Sequence, residues 1–76
     1  MMIQSPENIG RYIRNVRKEL DVTQKDLALT AGTGLRFIID LENGKPTCQI
    51  GKMLQVLQVL GIQLKLSHTE FGNEKS

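Results

Sequence analysis

Glycine stops divide this chain into short helical segments. Gly32, the Asn43-Gly44 pair and Gly61 each follow a run of apolar residues at helical spacing. Glycine takes the left-handed backbone conformation that ends a helix without steric cost. Segments of a few turns need tertiary packing to persist. At 76 residues the chain makes one domain with a modest core, which a partner subunit can supplement.

The first segment opens on Ser5-Pro6-Glu7: a cap, a proline suited to the first helical position, and an acid at the positive end of the helix dipole. Ile9, Ile13, Val16 and Leu20 form its apolar stripe, which predicts a helix over about 6–19. Arg11, Arg14, Arg17 and Lys18 take much of the remaining surface. Thr23 caps a second, short helix with Leu27, Ala28 and Ala31 inward, and Asp26 completes a variant of the capping box. A third helix starts near Gly34, turns Phe37, Ile38 and Leu41 inward, and stops at Asn43-Gly44 before Pro46. Thr47 is the expected cap of a fourth, with Ile50, Met53, Leu54, Leu57 and Leu60 as its stripe.

Past Gly61 the period changes to two. Ile62, Leu64 and Leu66 alternate with Gln63, Lys65 and Ser67, which predicts one strand over 62–67. A lone strand leaves its backbone groups unpaired, and pairing with its copy in a second subunit is the simplest remedy. The expected layout is a folded unit over 5–67 and a mobile polar tail over 68–76, in which Phe71 is the large apolar residue.

Composition narrows the chemistry. One cysteine, Cys48, and one histidine, His68, fall short of a zinc site and exclude an internal disulfide. No Gly-rich phosphate loop is present, and Asp40 and Glu42 lie too close on one helix, on different faces, to act as an acid/base pair. The expectation is no catalytic residue, no metal and no cofactor. No apolar stretch is long enough to span a bilayer, and the N-terminus lacks a signal-peptide pattern, so a cytoplasmic protein is expected. A net charge of +2 permits nucleic-acid binding without arguing for it.

Two short helices joined by a tight glycine-containing turn are the helix-turn-helix arrangement. Thr23-Gln24 with Leu27-Ala28, then Ala31-Gly32, then Leu41-Glu42-Asn43-Gly44 resemble the phage-repressor-like (Cro- or XRE-type) family, whose pattern reads T-Q-x-x-L-A, A-G, I/L-E-N-G. The resemblance covers about 9–61. A narrower one lies in Ser5-Pro6, the stretch Gly34-Leu35-Arg36-Phe37-Ile38, the link Gly44-Lys45-Pro46-Thr47 and the terminal alternation, which look like HipB-type antitoxins. These resemblances imply an all-α fold of four to five helices, with one C-terminal strand that pairs across a dimer.

They also imply roles. The third helix would lie in the major groove of double-stranded DNA with its N-terminal residues toward the bases. Gly34 would allow close backbone approach. Arg36 suits a bidentate pair with guanine, or a phosphate. Leu35 and Ile39 would meet thymine methyl groups or pack on a neighbouring helix. Asp40 would accept from cytosine N4 or, more in keeping with its charge, orient its neighbours. Gln24 would donate to a phosphate at a helix N-terminus, flanked by Lys25, Asn43 and Lys45. Arg17 and Glu42 match the family's Arg and Glu and would bridge two helices.

The function implied is a sequence-specific repressor that controls its own promoter and serves as antitoxin to a HipA-like serine/threonine kinase, with Phe71 as a candidate partner anchor. A stand-alone repressor and an interaction module that has lost DNA binding are the alternatives.

Overall fold

The computed structural model describes residues 5–64. They form four helices: α1 (Pro6–Glu19), α2 (Gln24–Ala31), α3 (Leu35–Glu42) and α4 (Ile50–Val59). Of the strand expected over 62–67, residues 62–64 are described and carry no strand, while 65–67 and the tail, with Leu66 and Phe71, lie outside the described residues.

Local chemistry sets the helix ends. Ser5 Oγ accepts from the Asn8 N–H at 3.1 Å, and Thr23 Oγ1 accepts from the Asp26 N–H at 3.0 Å. Each bond satisfies one donor that the helix leaves free. Gly32 sits at φ 74°, and the Thr33 N–H reaches back to the Ala28 carbonyl at 2.9 Å, closing α2 in a Schellman-type turn. This is the tight turn between the two helices of the motif.

The core takes Ile13, Leu27, Ile38 and Val56, one fully buried side chain from each of the four helices. Burying an aliphatic side chain of this size is worth about 1.5–3 kcal/mol. α3 packs on both α1 and α2, and α4 packs on α2. The Phe37 ring, half-buried on α3, is covered by Lys52 Nζ at 5.8 Å from its centre.

Three expectations need correction. Thr47 does not cap α4: the helix starts at Ile50 with Gln49 as its cap residue, because the chain is still turning at Pro46 and Thr47. The inward face of α4 is Met53, Val56, Leu57 and Leu60, while Ile50 and Leu54 are 69% and 45% exposed. These two lie on the flank of the stripe, where the single chain offers no cover. On α1 the apolar stripe gives out before Leu20, which is 53% exposed, and Arg17 is buried instead of lying on the surface.

Gly10 explains how closely α1 and α3 approach. A β-carbon there would clash with the Leu41 carbonyl oxygen and lie 2.8 Å from that of Glu42. Gly44, at φ 81°, is closed off likewise, since a β-carbon would lie 2.9 Å from Glu7 Cα. The first turns of α1 therefore clamp the C-terminal end of α3.

Candidate nucleic-acid interface

α3 has one anchored end and one bare end. Ile38, Leu41 and Glu42 are buried, and the clamp from α1 fixes the chain as far as Gly44. Leu35 and Arg36 project outward, and Ile39 and Asp40 are half-buried. Leu35, 43% exposed, is not among the side chains packed against the core of its own chain. Gly34 begins the helix at φ −83°, open to any residue, and a β-carbon there would meet nothing within 4 Å. Neither backbone nor packing inside the chain requires glycine at this position.

Charge on α3 is already arranged. Asp40 Oδ1 lies 3.2 Å from Arg36 Nη2, one helical turn away, and Oδ2 lies 3.5 Å from Lys45 Nζ. Lys45 is also tied through its backbone, donating to the Asp40 carbonyl at 3.0 Å. Lys25 and Asn43 are exposed. Asn43 is the cap residue of α3 and donates to the Ile39 carbonyl at 3.0 Å.

Behind this surface the Arg17 guanidinium grips Glu42. Nε donates to Oε2 at 2.6 Å and Nη2 to Oε1 at 3.2 Å, while Nη1 donates to the Val22 carbonyl at 2.7 Å. The two residues come together as the family pattern implies. A third member joins them that no sequence pattern indicates: Gln24 Nε2 donates to Glu42 Oε1 at 3.0 Å, so one amide proton points inward and its second remains for an outside acceptor. Gly10 is unmarked as well, since nothing in its helical context singles out a glycine that packs on backbone. Two ties now hold α3 to α1, one ionic and one steric.

Cys48 lies beside this end of α3, with Pro6, Ile9, Pro46 and Met53 around a cleft of about 270 Å³. Burial pushes its thiol pKa up, and the negative charge of Asp40 adds to that against a smaller lowering by Lys45. The thiol is therefore neutral and a poor nucleophile at neutral pH. Among the described residues no group of His, Cys, Asp and Glu is placed to hold a metal, and no helix is long and apolar enough to cross a membrane. Of the residues assigned to dimerisation, Ile62 is half-buried against the core and its N–H bonds the Leu57 carbonyl at 2.9 Å, while Leu64 is exposed.

Residues 10–66 match the helix-turn-helix domain family. The chain is 58% identical over 64 residues to the uncharacterized HTH-type transcriptional regulator y4mF of Sinorhizobium fredii (strain NBRC 101917 / NGR234), covering 84% of each chain. Its fold is similar to HipB in a HipB-O4 20mer complex, with a TM-score of 0.82 and 25% identity over 90% of this chain and 96% of the other. It is also similar to a chain of the HipA-HipB-O2-O3 complex, with a TM-score of 0.83 and 26% identity over 91% and 97%. The chain therefore belongs to the helix-turn-helix domain family, as a transcriptional regulator with a HipB-like fold rather than an enzyme.

Proposed function

We propose that this chain is a sequence-specific DNA-binding repressor that acts as a homodimer at its own promoter and as the antitoxin of a HipA-like serine/threonine kinase. The observation that carries the DNA reading is α3 itself, rigidly anchored at Glu42 and bare at Leu35 and Arg36. A helix held this way can enter the major groove as a fixed probe. In this reading Arg36 pairs with guanine, Leu35 and Ile39 meet thymine methyls, and Gly34 admits close backbone approach. Gln24, Lys25, Asn43 and Lys45 hold the phosphates.

Dimerisation uses what the single chain leaves open. Ile50 and Leu54 flank the α4 stripe uncovered, and past Gly61 Leu64 is exposed as well. Two copies that pair their 62–67 segments antiparallel would cover it. A two-fold dimer then reads an inverted repeat with half-sites about one helical turn, or a multiple of it, apart. The similar HipB chains were solved as an O4 20mer complex and, for a variant form, an O2 20mer complex.

The partner reading is supported by the likeness to the HipA-HipB-O2-O3 complex. The outer flank of α1, with Arg11, Arg14 and Lys18, has no duty at the DNA, nor has Phe71 in the tail. A stand-alone repressor is the second reading, favoured by the 58% identical relative, which carries the name of a transcriptional regulator.

One experiment tests both parts: the protein is tagged in its native cell, and its upstream region is footprinted with what co-purifies. Recovery of a kinase-like neighbour and protection of an inverted repeat support the full reading. Protection without any kinase-like partner leaves the stand-alone repressor, and an asymmetric single half-site contradicts the dimer.

A further inference from the structure

Asp40 is the fixed member of a three-residue group on the recognition surface. Its side chain is 20% exposed, against 78% for Arg36 and 55% for Lys45. Its position is set by α3, and that of Lys45 by the bond to the Asp40 carbonyl and by Gly44, which lies against Glu7. Arg36 is the movable partner, a long exposed side chain held at its tip by one carboxylate oxygen. Both carboxylate oxygens are engaged, so Asp40 is better fitted to orient than to read a base.

We infer that Asp40 is a positioning residue that determines specificity: it holds the Arg36 guanidinium, and Lys45 behind it, so that Arg36 meets a guanine edge rather than a phosphate. The inference rests on the DNA-binding reading above. A guanidinium offers five donors, and the Asp40 contact runs through Nη2 alone, which leaves enough to reach guanine O6 and N7 together. Phosphate contacts carry no sequence information, and a free arginine on a flexible stem takes whichever phosphate it reaches. A carboxylate a few ångströms behind the guanidinium tip changes that competition. It repels a fully charged phosphate at the same tip more strongly than the net-neutral guanine edge. The same charge keeps Lys45 from adding its full attraction to random duplex.

The test uses the full chain and two probes: a duplex that the wild type selects from a random pool, and random-sequence duplex of equal length. Asp40→Asn keeps the shape and removes the charge. It should tighten binding to random duplex and lower the selected-to-random affinity ratio by about tenfold or more, the discrimination that one bidentate base pair supplies. The salt dependence on random duplex should steepen by about one to two phosphate contacts as Arg36 and Lys45 are released. Asp40→Glu should keep most of the ratio. In an Arg36→Ala background, Asp40→Asn should no longer change it. Melting of each variant separates these effects from loss of fold. Equal weakening on both probes with unchanged salt slopes would make Asp40 merely structural and overturn the inference. A wild type that selects no duplex would overturn the DNA reading and this inference with it.

Discussion

Glu42 Oε2 stands 2.6 Å from Arg17 Nε across 25 residues of sequence, joining the C-terminal turns of α1 and α3. Both side chains are nearly withdrawn from water, at 10% and 2% exposure. Removing one partner of such a pair strands the other charge, which costs about 3–5 kcal/mol. Glu42→Ala should therefore destabilise the fold by that order while leaving DNA affinity per folded molecule far less changed. Arg17→Ala combined with Glu42→Ala should recover part of the loss. Denaturant melts of the four-member cycle check this, and purely additive values would mean that the two residues are uncoupled.

The steric tie between the same helices is tested at Gly10. Gly10→Ala places a methyl group against the carbonyl oxygens of Leu41 and Glu42, where backbone must shift to admit it. Overpacking of this kind costs about 1–3 kcal/mol, although alanine is by itself the better helix former. A Gly10→Ala protein that melts higher than the wild type would show that α1 and α3 are not in backbone contact there.

Gly34 should behave in the opposite way. Its backbone suits any residue and space is free around it, and serine at a helix cap bonds an otherwise unpaired N–H. Gly34→Ser should leave stability unchanged or raise it by a few tenths of a kcal/mol. If α3 approaches DNA at this point, the same change should weaken operator binding. Intact affinity in the Ser variant would remove Gly34 from the interface.

Much of this was legible in the sequence because its signals are local. The bounds of α1, the caps at Ser5 and Thr23 and the glycine turn at Gly32 follow from residue types within a few positions of one another. The pairing of Arg17 with Glu42 is non-local, and only the resemblance to a known pattern suggested it. What could not be read from the sequence depends on packing angle. No periodicity tells that Gly10 meets backbone, that Gln24 turns one amide proton inward, or that Ile50 and Leu54 flank the core instead of joining it. The order Thr47-Cys48-Gln49-Ile50 offers a good cap at its first residue, yet the turn through Pro46 and Thr47 delays the helix to Ile50.

The uncovered flank of α4 gives the dimer prediction. Ile50→Asp with Leu54→Asp places two charges on a surface that is exposed in the single chain. The monomer fold should survive, and sedimentation should show the dimer dissociating at low micromolar concentration. Leu64→Pro should act in the same direction, since proline removes a donor from any ladder that the segment forms. Both variants sedimenting as full dimers would place the joint elsewhere.

Whether the bare end of α3 reads bases is decided by the affinity of Arg36→Ala for selected and for random duplex at matched salt. Arg36→Ala should lose about 1–3 kcal/mol on the selected site, relax the preference at one base pair, and change binding to random DNA much less. Equal loss on both duplexes would make Arg36 a phosphate contact and contradict base reading by α3.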